Sequence, residues 1–230
     1  MPALGIFKEG VDMAAITDAA AAVRQIKNGA TVMIGGFMAV GTPETLVDAL
    51  IEQGTTDLTV ICNDTGFVDV GVGKLVVNHR ISQLIASHIG TNPETGRQMN
   101  SGEIKKVVLM PQGTLAERIR AAGYGLGGVL TPTGLGTVVE EGKQVVEVEG
   151  NPYLLELPIK ADFALLHAKT ADKAGNLMYH GTMQNFNPIM AMAAKTVIAE
   201  VDTILEDGYL DPDHIHTPGI LVNYLVKKVW

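Results

Sequence analysis

Cysteine is nearly absent from this chain. Cys62 is the only one among 230 residues. A lone thiol excludes an internal disulfide and a multi-thiolate metal cluster, and it points to the cytosol as the compartment. Positive charge is also scarce. Lys plus Arg total 17 against 25 Asp plus Glu, a net charge of −8. General nucleic-acid binding needs concentrated positive charge to displace counterions, so it is not expected. An anionic small ligand is still compatible, because a glycine loop and a few cations suffice for it. No apolar run approaches the roughly 20 residues of a membrane span, so no membrane partner is expected. The opening Met1-Pro2-Ala3-Leu4-Gly5-Ile6-Phe7-Lys8 has no long apolar stretch after its charges, which argues against a secretory signal. No two of the six histidines sit at helix spacing with a third ligand nearby, so no metal site is indicated.

What the chain does have is apolar content, 47% of its residues, enough for a full core. It also has glycine at telling places. Residues 31–34 form an apolar run that reads as a buried strand, and the run ends at Gly35-Gly36. The segment Gly35, Gly36, Phe37, Met38, Ala39, Val40, Gly41 then leads through Thr42 and Pro43 into a helix with Leu46, Val47, Leu50 and Ile51 on one face. Such a strand–glycine loop–helix unit is how α/β proteins bring a ligand against bare backbone. It is also how a plain turn is made. The spacing matches neither the dinucleotide fingerprint nor the phosphate-binding P-loop. Phe37 is a large apolar side chain in a loop, either a plug on the core or a wall of a pocket.

The same alternation recurs along the chain. A helix is predicted over 18–27, capped by Thr17 or Asp18. Thr42 is the expected N-cap of the helix that Pro43 opens, and Gly54 stops that helix. Strands are predicted over 58–62, 83–87 and 107–110, and a helix over 115–122 with Thr114 as cap and Glu117 as its capping-box partner. Segments 144–148 and 153–157 read as a hairpin around Gly150-Asn151-Pro152. Buried strands follow at 163–167 and 196–200, with a short helix at 188–194 between them. The fold class is therefore α/β, a mostly parallel sheet flanked by helices with a small β insertion. With no repeat or long linker, residues 1–230 read as one domain.

Several blocks carry a family resemblance: Lys27-Asn28-Gly29 through Gly41-Thr42-Pro43, Asn63-Asp64-Thr65, Ser87-His88-Ile89-Gly90-Thr91-Asn92-Pro93, Pro111-Gln112-Gly113-Thr114-Leu115, Thr131-Pro132-Thr133-Gly134, Asn185-Phe186-Asn187-Pro188 and Thr217-Pro218-Gly219. Together they resemble the α subunit of the family I coenzyme A transferases across nearly the whole chain. Segment 183–195 is most similar to the bacterial short-chain members, which use acetyl, acetoacetyl or butyryl groups. The resemblance implies that coenzyme A is a substrate, with no tightly bound cofactor, and that loop 35–41 contacts it. It implies a glutamate that attacks the donor thioester, forms an acyl-glutamyl anhydride and then a glutamyl thioester, and passes coenzyme A to the acceptor acid. In this family the β subunit carries that glutamate, so the partner is a homologous β subunit in an α2β2 assembly.

No residue of this chain is expected to be the nucleophile. Glu94 and Glu103 read as members of a polar loop, and Glu140-Glu141 as a solvated turn. Asn63 and Gln112 each follow a buried strand at its carboxyl end, where ligands bind open α/β sheets. Their amides could orient a carboxylate or donate to a thioester oxyanion, or they could serve as a loop cap and a turn residue. Thr131, Thr133 and Thr137 could line an acyl pocket or satisfy turn backbone. His88 and Cys62 read as a loop histidine and a packing residue. Two other classes stay open: a self-sufficient acyl-CoA hydrolase or sugar-phosphate isomerase on the same fold, and a non-catalytic acyl-CoA-binding module.

Overall fold

The computed structural model describes residues 14–206 and 208–229. The N-terminal segment read for a secretory signal lies outside them.

Five strand–helix units come first. They are β1 (Ala15–Thr17) with α1 (Ala19–Val23), β2 (Thr31–Ile34) with α2 (Glu44–Gln53), β3 (Leu58–Ile61) with α3 (Val72–Val77), β4 (Ile81–Ala86) with α4 (Pro93–Ser101), and β5 (Lys106–Leu109) with α5 (Gln112–Gly123). The small insertion follows as β6 (Val129–Thr131), β7 (Val145–Val148) and β8 (Asn151–Glu156). The chain closes with β9 (Ala161–Ala171), β10 (Leu177–Met178), α6 (Asn187–Ala193), β11 (Ala194–Ile204) and β12 (Tyr224–Lys227). The main sheet runs in the order β1-β12-β11-β9-β2-β3-β4-β5, every neighbour parallel, with β10 added antiparallel to β9. The insertion is a separate antiparallel sheet, β6-β8-β7.

Both faces of the main sheet are covered. Val32 and Ile34 pack toward α1, α2 and α3, while Met33 packs toward α5 and α6. That is why the central strands are nearly continuous apolar runs. On α2 the predicted stripe is buried, with Leu46, Val47 and Leu50 inaccessible. Each such side chain contributes about 1.5–3 kcal/mol of hydrophobic stabilisation.

The local predictions need several corrections. Asp18 does cap α1, accepting from the Ala21 amide at 2.7 Å, but regular helix ends at Val23. Thr42 does not cap α2; Pro43 occupies the N-cap and has no side-chain acceptor. Thr114 is not a cap either, because α5 starts two residues earlier at Gln112. The hairpin between β7 and β8 turns at Glu149 and Gly150, both left-handed, one residue before the predicted turn. Strands β9 and β11 are each 11 residues long, roughly twice what their apolar cores suggested.

Helices α3 and α4 were not anticipated. Helix α4 explains why: Pro-Glu-Thr-Gly-Arg-Gln-Met-Asn-Ser has no apolar period. It is held by its cap and by buried polar contacts. The Asn92 side chain accepts from the Glu94 and Thr95 amides, and Gln98 Nε2 donates to the Val76 carbonyl at 2.8 Å. Glu94 therefore sits on a helix and not in a loop.

Candidate functional site

Strands β2 and β9 are adjacent, yet the chain leaves them in opposite directions, toward β3 and toward β11. Their carboxyl ends form the topological switch point, where open α/β sheets bind ligands. Loop 35–41 lies there. The Gly35 amide still pairs with the Leu165 carbonyl of β9 at 2.9 Å, and then the chain folds into a miniature hairpin. Phe37 and Val40 exchange both backbone hydrogen bonds, at 3.1 and 2.9 Å, across Met38 and Ala39. Those two residues have φ of 48° and 68°. Two successive left-handed residues are normally glycine or asparagine in such a turn. In an L-residue the conformation costs roughly 1–2 kcal/mol each, so the tip is a strained element held by its surroundings.

Two asparagines and one aspartate do the holding. Asn187 has no solvent exposure. Its Oδ1 accepts from the His167 amide of β9 at 3.1 Å, while its Nδ2 donates to the Gly41 carbonyl at 3.0 Å and the Met183 carbonyl at 2.9 Å. Asn185 Nδ2 donates to the Val40 carbonyl at 2.9 Å. On the other flank, Asp64 Oδ2 accepts from the Met38 amide at 3.0 Å, and its Oδ1 from the Gly66 amide at 2.8 Å. The glycines follow from these contacts. A Cβ on Gly35 would lie 1.9 Å from Asn187 Oδ1, and Gly36 has φ of 123° with Thr42 Oγ1 2.1 Å from where a Cβ would be.

The hairpin tip walls an open groove of about 670 Å³, lined by Phe37, Met38, Val40, Gly181, Thr182, Gln184 and Asn185. Its volume suits a small-molecule site. Phe37 is 43% exposed, a wall of this groove and not a plug in the core. Ala39 faces the loop's base, together with Gly35, Gly36 and Cys62.

Asn63 is 2% exposed. Its Nδ2 donates to Asp64 Oδ2 at 2.6 Å, and its Oδ1 accepts from Ser87 Oγ at 3.0 Å, so the side chain stands one step behind the loop. Gln112 is exposed at the first position of α5. Its neighbours Pro111 and Gly113 border a second depression of about 330 Å³, with Thr114, Glu117, Val129, Leu130, Thr131 and Thr133. Thr131 and Thr133 thus share a cavity wall, whereas the Thr137 hydroxyl closes its own turn on the Gly134 carbonyl at 2.7 Å.

Three of the four carboxylates weighed as nucleophiles are engaged elsewhere, and Glu141 is exposed. Arg97 is paired with both Glu94 and Glu103, at 2.7 and 2.6 Å, and the hydrogen bonds from Arg97 hold the Glu94 carboxyl down at about 2. Glu140 accepts from the Gly136 amide at 2.6 Å. The Cys62 thiol is buried, and burial, reinforced by the charge on Asp64, pushes its pKa up, so no thiolate is available. Among the described residues no three His, Cys, Asp or Glu side chains group to hold a metal, and no helix is long and apolar enough to cross a membrane.

Sequence reasoning missed Asp64, Asn185 and Asn187 as loop supports. The available signal was the Asn-x-Asn-Pro run ahead of a short helix, but its contacts lie about 146 residues away in sequence.

The comparisons with known proteins agree with this architecture. The family model described as coenzyme A transferase matches residues 16–228. The acetate CoA-transferase subunit alpha of Escherichia coli K12 is 56% identical over 200 residues, covering 87% of this chain and 90% of the relative. The acetoacetyl-CoA:acetate/butyrate CoA transferase alpha subunit of Clostridium acetobutylicum is 52% identical over 202 residues, covering 88% and 92%. Among solved structures, the apoenzyme of an acyl-CoA transferase from Escherichia coli O157:H7 superposes with a TM-score of 0.83 at 23% identity. That match covers 94% of this chain but only 47% of the other, so this chain spans about half of that protein's length, and the likeness speaks to the fold. With a family model matched over nearly its whole length and relatives more than half identical, the chain belongs to the coenzyme A transferase family.

Proposed function

We propose that this chain is the α subunit of a short-chain acyl-CoA:carboxylate CoA-transferase, working on acetate or butyrate with acetoacetyl-CoA in the cytoplasm. Coenzyme A is a substrate and binds against Gly35, Gly36, Phe37, Met38, Ala39, Val40 and Gly41. A homologous β subunit, in an α2β2 assembly, supplies the glutamate that attacks the thioester. This chain contributes the coenzyme A loop and part of the acyl pocket, with Gln112 beside that pocket and Asn63 behind the loop.

The observation that carries this proposal is the loop. A strained turn braced by Asp64, Asn185 and Asn187 at the switch point presents Phe37, Met38 and Val40 as walls of a groove of small-molecule size. Among the described residues no carboxylate lines the groove, and Glu94, Glu103 and Glu140 are each tied to other partners. A nucleophile from a second subunit fits that arrangement. The relatives named as alpha subunits favour it over a self-sufficient hydrolase or isomerase.

The test is to express the chain with and without its genomic neighbour and assay acetyl-CoA formation from acetoacetyl-CoA and acetate. Borohydride or hydroxylamine trapping then locates the glutamyl thioester by mass spectrometry. Activity only in the pair, with the modified glutamate on the neighbour, is expected. Activity of this chain alone, or modification of one of its own glutamates, would overturn the proposal.

A further inference from the structure

Helix α2 begins where loop 35–41 ends, and its first amides have no local cap. Pro43 offers no side-chain acceptor, and the Thr42 hydroxyl is turned toward Gly36. The acceptor comes from β11, 154 residues away in sequence. Glu200 Oε2 accepts from the Leu46 amide at 3.2 Å, close to the Thr45 amide. Glu200 has no solvent exposure. A glutamate is almost never buried completely without a partner, and here the partner is a helix N-terminus, whose dipole favours a carboxylate. The Val229 amide ties the same turn from outside, donating to Thr45 Oγ1 at 3.3 Å.

Glu200 also faces a cluster of charged and titratable groups. His167 is its register partner on β9. Asp202, two residues further along β11, bonds His167 Nε2 at 2.8 Å and Lys169 Nζ at 3.0 Å. Lys228, beyond β12, lies 3.9 Å from Asp202. Glu44 of α2 is paired with Lys74 of α3 at 2.8 Å. Three buried atoms in this cluster, Glu200 Oε1, Glu44 Oε1 and His167 Nδ1, have no hydrogen-bond partner among the described residues. The His167 main-chain amide is the one that Asn187 accepts from. The cluster therefore meets the loop's support twice, at its exit through α2 and at Asn187 through β9.

We propose that Glu200 is a positioning residue that fixes the exit of loop 35–41 by capping α2 from the sheet, and that its protonation sets how firmly the loop is held for an acyl-CoA. Only the acyl-CoA part depends on the function proposed above. An ionised carboxylate accepts from an amide more strongly than a carboxylic acid does. For a local opening that leaves Glu200 buried in the sheet, the loop is therefore firmest with Glu200 ionised, whereas global unfolding, which hydrates Glu200, is favoured by the same ionisation. Burial moves that ionisation toward neutral pH, up to about 7.

The experiment is hydrogen exchange of residues 36–46 by mass spectrometry on the chain co-purified with its partner subunit. Rates are corrected for intrinsic chemistry and compared for the wild type, Glu200→Gln and Glu200→Ala from about pH 5.5 to 8.5. Wild-type protection is expected to climb about tenfold across that window, to stay flat in Glu200→Gln, and to be about tenfold weaker throughout in Glu200→Ala. KM for acetoacetyl-CoA should follow the same pattern while kcat changes little. A pH step that persists in Glu200→Gln overturns the proposal even if Glu200→Ala does not fold. A KM that ignores the exchange pattern overturns the acyl-CoA part. A complex that exchanges as expected but transfers no coenzyme A would refute the transferase function alone.

Discussion

Asn187 Nδ2 donates to the Gly41 carbonyl at 3.0 Å, while Asn187 Oδ1 accepts from the His167 amide at 3.1 Å. One buried amide thus pins the end of the glycine loop to a central strand. An aspartate would lose the donor and an alanine would lose both. Asn187→Ala orphans a buried N–H and a buried carbonyl, and should lower stability by about 3 kcal/mol. Urea denaturation should show the loss as a lower midpoint at constant slope. Gly35→Ala should behave alike, because its Cβ would fall 1.9 Å from Asn187 Oδ1. Wild-type midpoints in both variants would remove Asn187 as the pin.

The Met38–Ala39 turn suggests an opposite result. Ala39 has φ of 68°, which glycine adopts without its steric penalty. Ala39→Gly should leave the fold intact and raise stability by up to about 1 kcal/mol, less the entropy that glycine adds to the unfolded chain. A clear loss of thermal stability would mean that the Ala39 methyl packs the loop's base more than it strains the turn.

The insertion is tied down by charge. Glu156 is 1% exposed and pairs with Lys143 at 2.5 Å and Arg118 at 3.3 Å, joining β8 to α5. Removing one partner of a fully buried pair costs about 3–5 kcal/mol, but both cations here keep some solvent, so about 2 kcal/mol is expected for Glu156→Gln. Limited proteolysis should then cut first within residues 129–156, and cleavage elsewhere would contradict the tether.

Stability should also depend on pH in a way that two buried neighbours divide. Burial pushes the Glu200 carboxyl up to about 7 from 4.5, against the amides of Leu46 and Thr45 and the charge of Lys228. The folded state binds that proton more tightly than the unfolded chain. Its contribution is complete below about 4.5 and is lost as pH rises through about 7. His167 has the opposite sign. Burial lowers its pKa from 6.5, although the Asp202 hydrogen bond raises it, so its contribution is present above 6.5 and lost as pH falls through the lowered value. The wild type should therefore lose stability relative to Glu200→Gln between about pH 4.5 and 7, by at most about 1.4 kcal/mol per pH unit. A difference that stays constant over that window would exclude this ionisation.

Much of the architecture was legible locally. Strand β2 was read at its observed bounds because an apolar, β-branched run stopped by Gly-Gly leaves few options. The stripe on α2 and its Gly54 stop were equally plain, since a 3.6-residue period and a left-handed C-cap are properties of neighbouring residues. Helix α4 was not legible, because its polar residues become stabilising only where Gln98 meets Val76 and Thr95 meets Thr65.

The same division holds at the site. The order of glycines and apolar residues along one short segment dictated that a loop would leave a buried strand and enter a helix, and block resemblance attached coenzyme A to it. Whether that loop was rigid or slack depended on Asn187, Asp64 and Glu200, which reach it from remote strands and loops. A hydrogen bond forms between groups brought within about 3 Å, and sequence separation does not measure that distance. Only the pairing of β3 and β9 with β2, and of β11 with β9, made those three side chains neighbours of the loop they hold.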